Sequence, residues 1–179
     1  MHKNIAFLAF LVFYAPTLLF AADEQRTVKN ENIGNVTLTV PSDWKPIERH
    51  HINFGTTFYR LVPPGKKFDL EILFNDVQHM QMSALVDKDL ERYIESNMGD
   101  AALQSTEGKV VAKRFGSKRD GAYASLTDRN PGPGEFVLFT QGVRLLGKDV
   151  ILFTMYSNNK DGTDLKKILA IIDSVKIEK

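Results

Sequence analysis

Residues 135–156 read EFVLFTQGVRLLGKDVILFTMY, and this stretch decides the fold. Two segments rich in apolar, β-branched and aromatic residues, Glu135–Leu145 and Val150–Tyr156, flank the short connection Leu146–Asp149. Gly147 in that connection suits a tight turn. Strands joined by so short a turn pair antiparallel. The stretch therefore predicts a β-hairpin within an antiparallel sheet.

The same kind of segment recurs on the N-terminal side of this hairpin. Val36–Val40 alternates strictly between apolar and hydroxyl side chains, which is typical of a strand with one buried face. Trp44, in the turn after it, is expected to cover the open end of the core. Further strands are predicted at Phe58–Val62, Phe68–Phe74, Lys109–Phe115 and Ala122–Thr127.

Two segments have helical periodicity instead. From a cap near Ser83, apolar residues recur at three- and four-residue steps as far as Met98, and Gly99 is a natural stop. A second helix is predicted over Thr163–Asp173, with a short closing strand at Val175–Ile177. The elements predict an α+β fold, an antiparallel β-sheet of about six to seven strands with helices packed on it.

The N-terminal residues 1–22 have the parts of a secretory signal peptide. Lys3 precedes the apolar run Ile5–Ala15, and small residues precede the first acidic ones. We expect cleavage near Ala21, Ala22 and Asp23. The alternative is an uncleaved membrane anchor, although the apolar run is shorter than the ~20 residues that span a bilayer.

Removing Lys3 with the leader leaves equal numbers of basic and acidic residues. Such balance argues against nucleic acid as a partner, and no membrane span is expected after removal of the leader. The chain has no cysteine, so its fold is expected to rest on its core, and a periplasmic location fits such an exported chain. We predict a polar tether at residues 23–32 and a single domain at 33–179.

Several features together resemble bacterial members of the PsbP-like superfamily, including the DcrB-type periplasmic proteins. These features are the first strand ending in Pro41-Ser42-Asp43-Trp44-Lys45, the strand start Asp120-Gly121-Ala122-Tyr123, the late hairpin, and the closing helix Leu165–Val175. The resemblance implies an antiparallel sheet covered by helices, and a binding or assembly role instead of catalysis. It carries over no catalytic residue, because the superfamily's members do dissimilar jobs.

Candidate metal ligands cluster at His79-Met80-Gln81-Met82. Imidazole and thioether groups are the soft ligands open to copper where cysteine is absent, so His79, Met80 and Met82 are weak candidates for a copper site. The alternative is a connecting turn whose methionines fill a gap between sheet and helix. His50 and His51 are adjacent, and in an extended segment they point to opposite sides.

Basic residues concentrate in one predicted hairpin: Lys109, Lys113, Arg114, Lys118 and Arg119. This hairpin is either a docking surface for an acidic partner or lipid headgroups, or an ordinary solvated surface. Asp69 and Glu71 share one strand face, where solvent exposure explains them. The stretch Asn130–Gly134 lacks the lysine and hydroxyl of a phosphate-binding loop.

The sequence contains no recognisable catalytic or cofactor motif. It favours a non-enzymatic exported binding or accessory protein that acts through contact with another periplasmic or secreted protein, as in envelope-complex assembly or toxin neutralisation. The alternative is a small-molecule or copper-binding periplasmic module, and an unrecognised hydrolase is less favoured.

Overall fold

The computed structural model describes residues 22–51, 57–77, 85 and 88–178. Ten strands lie in this part of the chain, and they form two antiparallel sheets. The larger sheet has seven strands in the order β3-β4-β5-β9-β8-β7-β6. Their bounds are β3 Glu48–His51, β4 Thr57–Leu61, β5 Phe68–Asp76, β6 Lys113–Phe115, β7 Gly121–Thr127, β8 Leu138–Leu146 and β9 Asp149–Ser157.

The smaller sheet has three strands in the order β1-β2-β10. They are β1 Asp23–Asn30, β2 Gly34–Pro41 and β10 Lys176–Glu178. The tether predicted over residues 23–32 is therefore wrong for residues 23–30, which pair with β2 along their whole length. Polar composition misled the prediction because most side chains of β1 are exposed, while its backbone hydrogen bonds hold it in the sheet.

Three helices are fully described: α1 Leu90–Asn97, α2 Gly99–Gln104 and α3 Thr163–Ser174. Helix α1 begins at Leu90 because Asp89 caps it, accepting a hydrogen bond from the Arg92 amide. Lys88 just before it has a positive φ of 58°, so no helix runs through this point from further upstream. The predicted cap Ser83 lies outside the described residues. Gly99 follows the end of α1 as predicted, but it also opens α2, which the sequence did not predict.

The large sheet buries apolar side chains on both of its faces. One face packs on β2 and α3 through a cluster that includes Leu38, Phe74, Phe153 and Ile168. Trp44 belongs to this cluster, with its ring edge-on to Phe68 at 5.4 Å, as expected for the residue that covers its end. The other face packs on α1 through a second cluster: Leu90, Ile94, Met98, Ala102, Ala122, Ala124, Leu126, Val143, Leu145 and Val150 are among its members.

The α+β class and the antiparallel sheet with helices packed on it are confirmed. The central hairpin β8–β9 pairs from Leu138–Ser157 to Leu146–Asp149 around Gly147, close to the predicted limits. Strand β6 is much shorter than the predicted Lys109–Phe115, and β3 was not predicted. None of the helices in the described ranges is long and apolar enough to cross a membrane.

Candidate functional site

A groove with a basic rim lies where three turns of the chain meet. The N-terminus of α1, the β6–β7 turn and the β8–β9 turn enclose a volume of about 490 Å³. We call it the basic groove. Its lining residues are Lys88, Leu90, Arg114, Lys118, Arg119, Asp120, Leu145, Leu146 and Gly147.

The β6–β7 turn is tight, and glycine is required in it. Gly116 has a φ of 84°, and a Cβ there would lie 2.5 Å from the Asp120 Oδ1 atom. The Arg119 amide closes the turn by donating to the Gly116 carbonyl at 3.0 Å. The turn therefore projects Lys118 and Arg119 from the end of the sheet, and both are exposed.

Two residues of the groove have a backbone conformation that L-amino acids rarely adopt. Lys88 has a φ of 58° and Arg119 a φ of 54°, and they are the non-glycine residues with positive φ in the described parts of the chain. Such conformations raise the free energy of the folded chain, so they persist only where surrounding contacts impose them. They are found most often at functional sites. Both of these lie at one groove, and both are basic.

Arg114 fixes these two residues. Its Nη1 donates to the Arg119 carbonyl at 3.3 Å, and its Nη2 donates to the Lys88 carbonyl at 3.4 Å. Nη2 also forms an ion pair with Glu91 in the first turn of α1. One guanidinium thus joins the β6–β7 turn to the start of α1, so Arg114 positions the groove's rim.

The hydrogen bond from Arg114 is also the main reason why the pKa of Glu91 lies below its ordinary value, against the opposing effect of burial. Glu91 is therefore ionised at neutral pH and neutralises Arg114. The charge of Asp120 is balanced by Arg144, which donates a hydrogen bond to each of its two carboxylate oxygens at 3.3 Å.

Three cations at the groove form no ion pair with an acidic side chain among the residues that the structure describes, although the charge of Arg119 contributes to lowering the pKa of Glu91. They are Lys88, Lys118 and Arg119, all exposed. The floor between them is apolar, formed by Leu90, Leu145 and Leu146. A basic rim of this kind favours anionic groups, and the partly exposed Leu146 is the floor residue that an apolar neighbour of such a group can contact.

Comparisons with known proteins do not identify a family. No family model matches the chain, and no curated protein matches it. One similar solved structure is the solution structure of cyanobacterial PsbP (CyanoP) from Synechocystis sp. PCC 6803. It covers 93% of this chain and 99% of that chain, with 11% sequence identity and a TM-score of 0.47. Structural similarity at this level gives no information about the function of this chain.

The copper candidates His79, Met80 and Met82 lie outside the described residues, so the copper site stays a prediction. In the described ranges, no group of three His, Cys, Asp or Glu residues is placed to hold a metal ion. His50 stacks on Phe58 with ring centroids 5.0 Å apart, and its Nε2 lies 3.4 Å from a Glu48 oxygen.

The carboxylates of β5 are engaged by neighbouring strands. Asp69 accepts a hydrogen bond from Arg60 at 2.8 Å. Glu71 lies opposite Arg60 in the register of β4 and β5, and its charge adds to the burial that raises the pKa of Tyr156. This arrangement is a cross-strand charge pair on a sheet face and gives no carboxylate dyad for acid–base chemistry.

Two further depressions are lined by mixed side chains. One, of about 350 Å³, lies beside α2 and includes Ser105, Asp128 and Phe139. The other, of about 640 Å³, lies between β1 and the segment that includes Trp44 and Ile47. The first is lined by Asp100 and Asp128 and the second by Glu24 and Arg26, so neither has a basic rim like that of the basic groove.

The charge run in the sequence located part of this site. Arg114, Lys118 and Arg119 line the basic groove, whereas Lys109 and Lys113 do not. Lys88 and the leucine floor were not foreseen, because they come from distant segments that only the folded sheet brings together. The glycine-flanked turn Gly116–Gly121 was the available signal for the site's position.

Proposed function

We propose that this chain is a non-enzymatic, exported binding protein that holds an acidic segment of another protein in the basic groove. The observation that carries the proposal is the exposed basic rim of Lys88, Lys118 and Arg119, which form no ion pair among the described residues, around a floor of leucines. The chain as a whole is nearly neutral, so this local excess is a feature of one surface. Charge of this kind steers association and selects acidic partners.

A protein segment fits the groove better than a small ligand does. Small-molecule sites bury most of the ligand's surface, and a few polar groups of the protein point toward it. Here the cations are long, exposed side chains at the rim, and the groove between the two turns is open to solvent. An extended segment in which Asp or Glu alternates with apolar residues satisfies rim and floor together.

Export to the periplasm is part of the proposal and rests on the leader-like residues 1–22 and the absence of cysteine. A binding role also agrees with the motif resemblance to PsbP-like proteins. Partners of this type include components of an envelope complex or a secreted toxin that the chain neutralises.

Charge reversal tests the proposal directly. The full chain, exported in its own host with an affinity tag, is cross-linked and purified, and the associated proteins are compared between variants. The groove variant is Lys88→Glu with Lys118→Glu and Arg119→Glu. The control variant is Lys160→Glu with Lys166→Glu and Lys167→Glu, which reverses three exposed lysines at and before helix α3.

We expect the groove variant to lose its cross-linked protein and the control variant to keep it. A synthetic peptide of alternating Glu and Leu, titrated into the labelled protein, should shift the amide resonances of Lys88, Lys118 and Arg119. Salt at ~0.5 M should abolish this shift, because it lowers the Debye length to about 4 Å. Retention of the protein by the groove variant, or loss from both variants alike, would exclude the basic groove as the binding surface.

A further inference from the structure

Strand β1 is the outer strand of the small sheet, and one side of its backbone faces away from β2. The Ser42 amide donates to the Ala22 carbonyl at 2.9 Å, in register with the pairing of β1 and β2. Directly opposite residues in an antiparallel pair alternate between hydrogen-bonded and non-hydrogen-bonded. Even-numbered residues of β1 therefore bond to β2, and the amides and carbonyls of Asp23, Gln25, Thr27 and Lys29 point outward.

Most of this outward row has no partner in the described parts of the chain. The Lys29 carbonyl accepts a hydrogen bond from the Tyr59 hydroxyl at 3.0 Å, which agrees with its outward direction. No described residue bonds to the outward groups of Asp23, Gln25 and Thr27. An edge of this kind is a template for another strand. Among the described residues, the stretch of this edge without backbone partners therefore runs from Asp23 to Thr27.

The sequence of this stretch complements itself when a second copy runs antiparallel. Pairing centred on Gln25 places Gln25 opposite Gln25, Asp23 opposite Thr27 and Glu24 opposite Arg26. Glu24 and Arg26 already form an ion pair within one chain, and the Arg26 guanidinium, 14% exposed, also donates to the Trp44 carbonyl at 2.8 Å. In this register the more exposed Glu24 of each copy lies opposite the Arg26 of the other, at non-hydrogen-bonded positions where side chains approach closest.

Other registers allowed by the same backbone alternation are less favourable. Centring the pair on Arg26 would place two like charges opposite each other, which is destabilising. Centring it on Thr27 would require the Lys29 carbonyl, which the Tyr59 hydroxyl already engages.

We infer that β1 is a self-association edge, through which two copies of this chain pair antiparallel about Gln25. This inference is independent of the basic groove. The pairing is short, so it gives a weak dimer that forms as protein concentration rises.

The chain has no native cysteine, so a single introduced one reports on the contact without interference. Directly opposite hydrogen-bonded residues have Cα atoms about 5.5 Å apart, within disulfide range. The full chain carrying Gln25→Cys is exported, purified, and oxidised at increasing concentration. The control variant is Lys29→Cys, because position 29 is exposed on the same edge. We expect Gln25→Cys to cross-link at least about tenfold faster than this control, since the two copies of position 29 would lie about 26 Å apart.

A proline variant gives a second readout. Gln25→Pro removes an outward amide that the small sheet does not use, so the fold should be retained. Sedimentation velocity should show the dimer in the native chain and its loss in Gln25→Pro, with unchanged circular dichroism. A native chain that stays monomeric up to millimolar concentration, or equal cross-linking at positions 25 and 29, would overturn the inference. Fastest cross-linking by Thr27→Cys would overturn the register and with it the Glu24–Arg26 pairing.

Discussion

Arg144 is a buried cation, with a side chain only 8% exposed, that joins the end of helix α3 to the start of β7. Besides Asp120, it contacts the Asp173 carboxylate at 3.2 Å and donates to the Ile172 carbonyl at 2.7 Å. The Ile172 carbonyl belongs to the last turn of α3, where it also accepts from the Val175 amide at 3.3 Å and where a cation is favoured. Arg144 therefore pairs with two partly exposed carboxylates and also donates to the helix end.

Arg144→Met should lower the free energy of unfolding by about 3–5 kcal/mol, because it leaves the Asp120 carboxylate without its cation and removes the hydrogen bonds from Arg144 to the end of α3. Urea unfolding followed by circular dichroism measures this loss. Arg92→Met is the control, since Arg92 is an exposed arginine on α1 paired with Asp89 at 3.3 Å. It should cost less than about 1 kcal/mol. Equal losses in the two variants would contradict a structural role for the buried cation.

Glu91 gives a pH-dependent test of the contact that positions the basic groove. Its pKa is lowered in the folded state, chiefly by the hydrogen bond from Arg114. Folding therefore favours the ionised form, so the contribution to stability is present above the ordinary value of about 4.3 and is lost as pH falls through the lowered pKa. The pair is near the surface, so we expect no more than about 0.5 kcal/mol from it.

Carbon-detected NMR titration of the Glu91 carboxyl measures that pKa directly. We expect a value below the ordinary one in the native chain and a return toward it in Arg114→Ala. The same variant should free the Lys88 and Arg119 carbonyls and broaden their amide resonances. An unchanged Glu91 titration in Arg114→Ala would show that Arg114 does not hold the groove.

At the scale of elements, the central hairpin depends on one close contact between its strands. Gly142 of β8 lies opposite Phe153 of β9, and a Cβ on Gly142 would lie 2.2 Å from the Phe153 ring. The ring is buried in the first core cluster, so it has little room to move. This explains a glycine in the middle of a strand that would otherwise favour a larger residue.

Gly142→Ala should therefore destabilise the protein by about 1–3 kcal/mol through overpacking. Adding Phe153→Leu should recover part of that loss, so that the double variant is less destabilised than the sum of the single ones. Gly99→Ala is the control, because a Cβ there meets nothing within 4 Å. Strict additivity of the two substitutions, measured by thermal unfolding, would mean that the ring and the glycine are not coupled.

The elements that the sequence predicted are those whose own side chains alternate or repeat. Helix α3 and the β8–β9 hairpin have apolar faces that are evident in the sequence, and both lie close to their predicted bounds. Strands β1 and β3 have polar sequences, and they form through backbone pairing with a neighbour at the edge of a sheet. Such strands carry no apolar period, because edge positions leave most of their side chains in water.

The candidate site shows the same division between local and non-local information. The β6–β7 turn and its cations are contiguous, and the sequence located them. Lys88 joins them through a hydrogen bond with Arg114, 26 positions away in the chain, and the floor comes from the β8–β9 turn. Convergence of three segments depends on strand order, which a single sequence does not specify.

At the scale of the whole molecule, the two sheets are joined by the first core cluster and also by a buried polar side chain. Asn30 at the end of β1 is 4% exposed, and its Nδ2 donates to the Phe74 carbonyl of β5 in the large sheet at 3.3 Å. Its Oδ1 accepts from the Asn32 amide at 2.9 Å and so also shapes the turn into β2. The side chain connects the smaller sheet to the larger one and fixes where β1 ends.

Asn30→Ala should thus cost about 1–3 kcal/mol, since it leaves the buried Phe74 carbonyl and the Asn32 amide without partners. Hydrogen exchange locates the effect. Protection should fall across β1 and β2 by a larger factor than in β8 and β9, because the small sheet loses a link to the core while the hairpin keeps its own. Asn35→Ala, at an exposed position on β2, is the matched control and should leave exchange unchanged. If residues 23–30 acted only as a tether, Asn30→Ala would behave like this control, and β1 would add nothing measurable to the stability of the molecule.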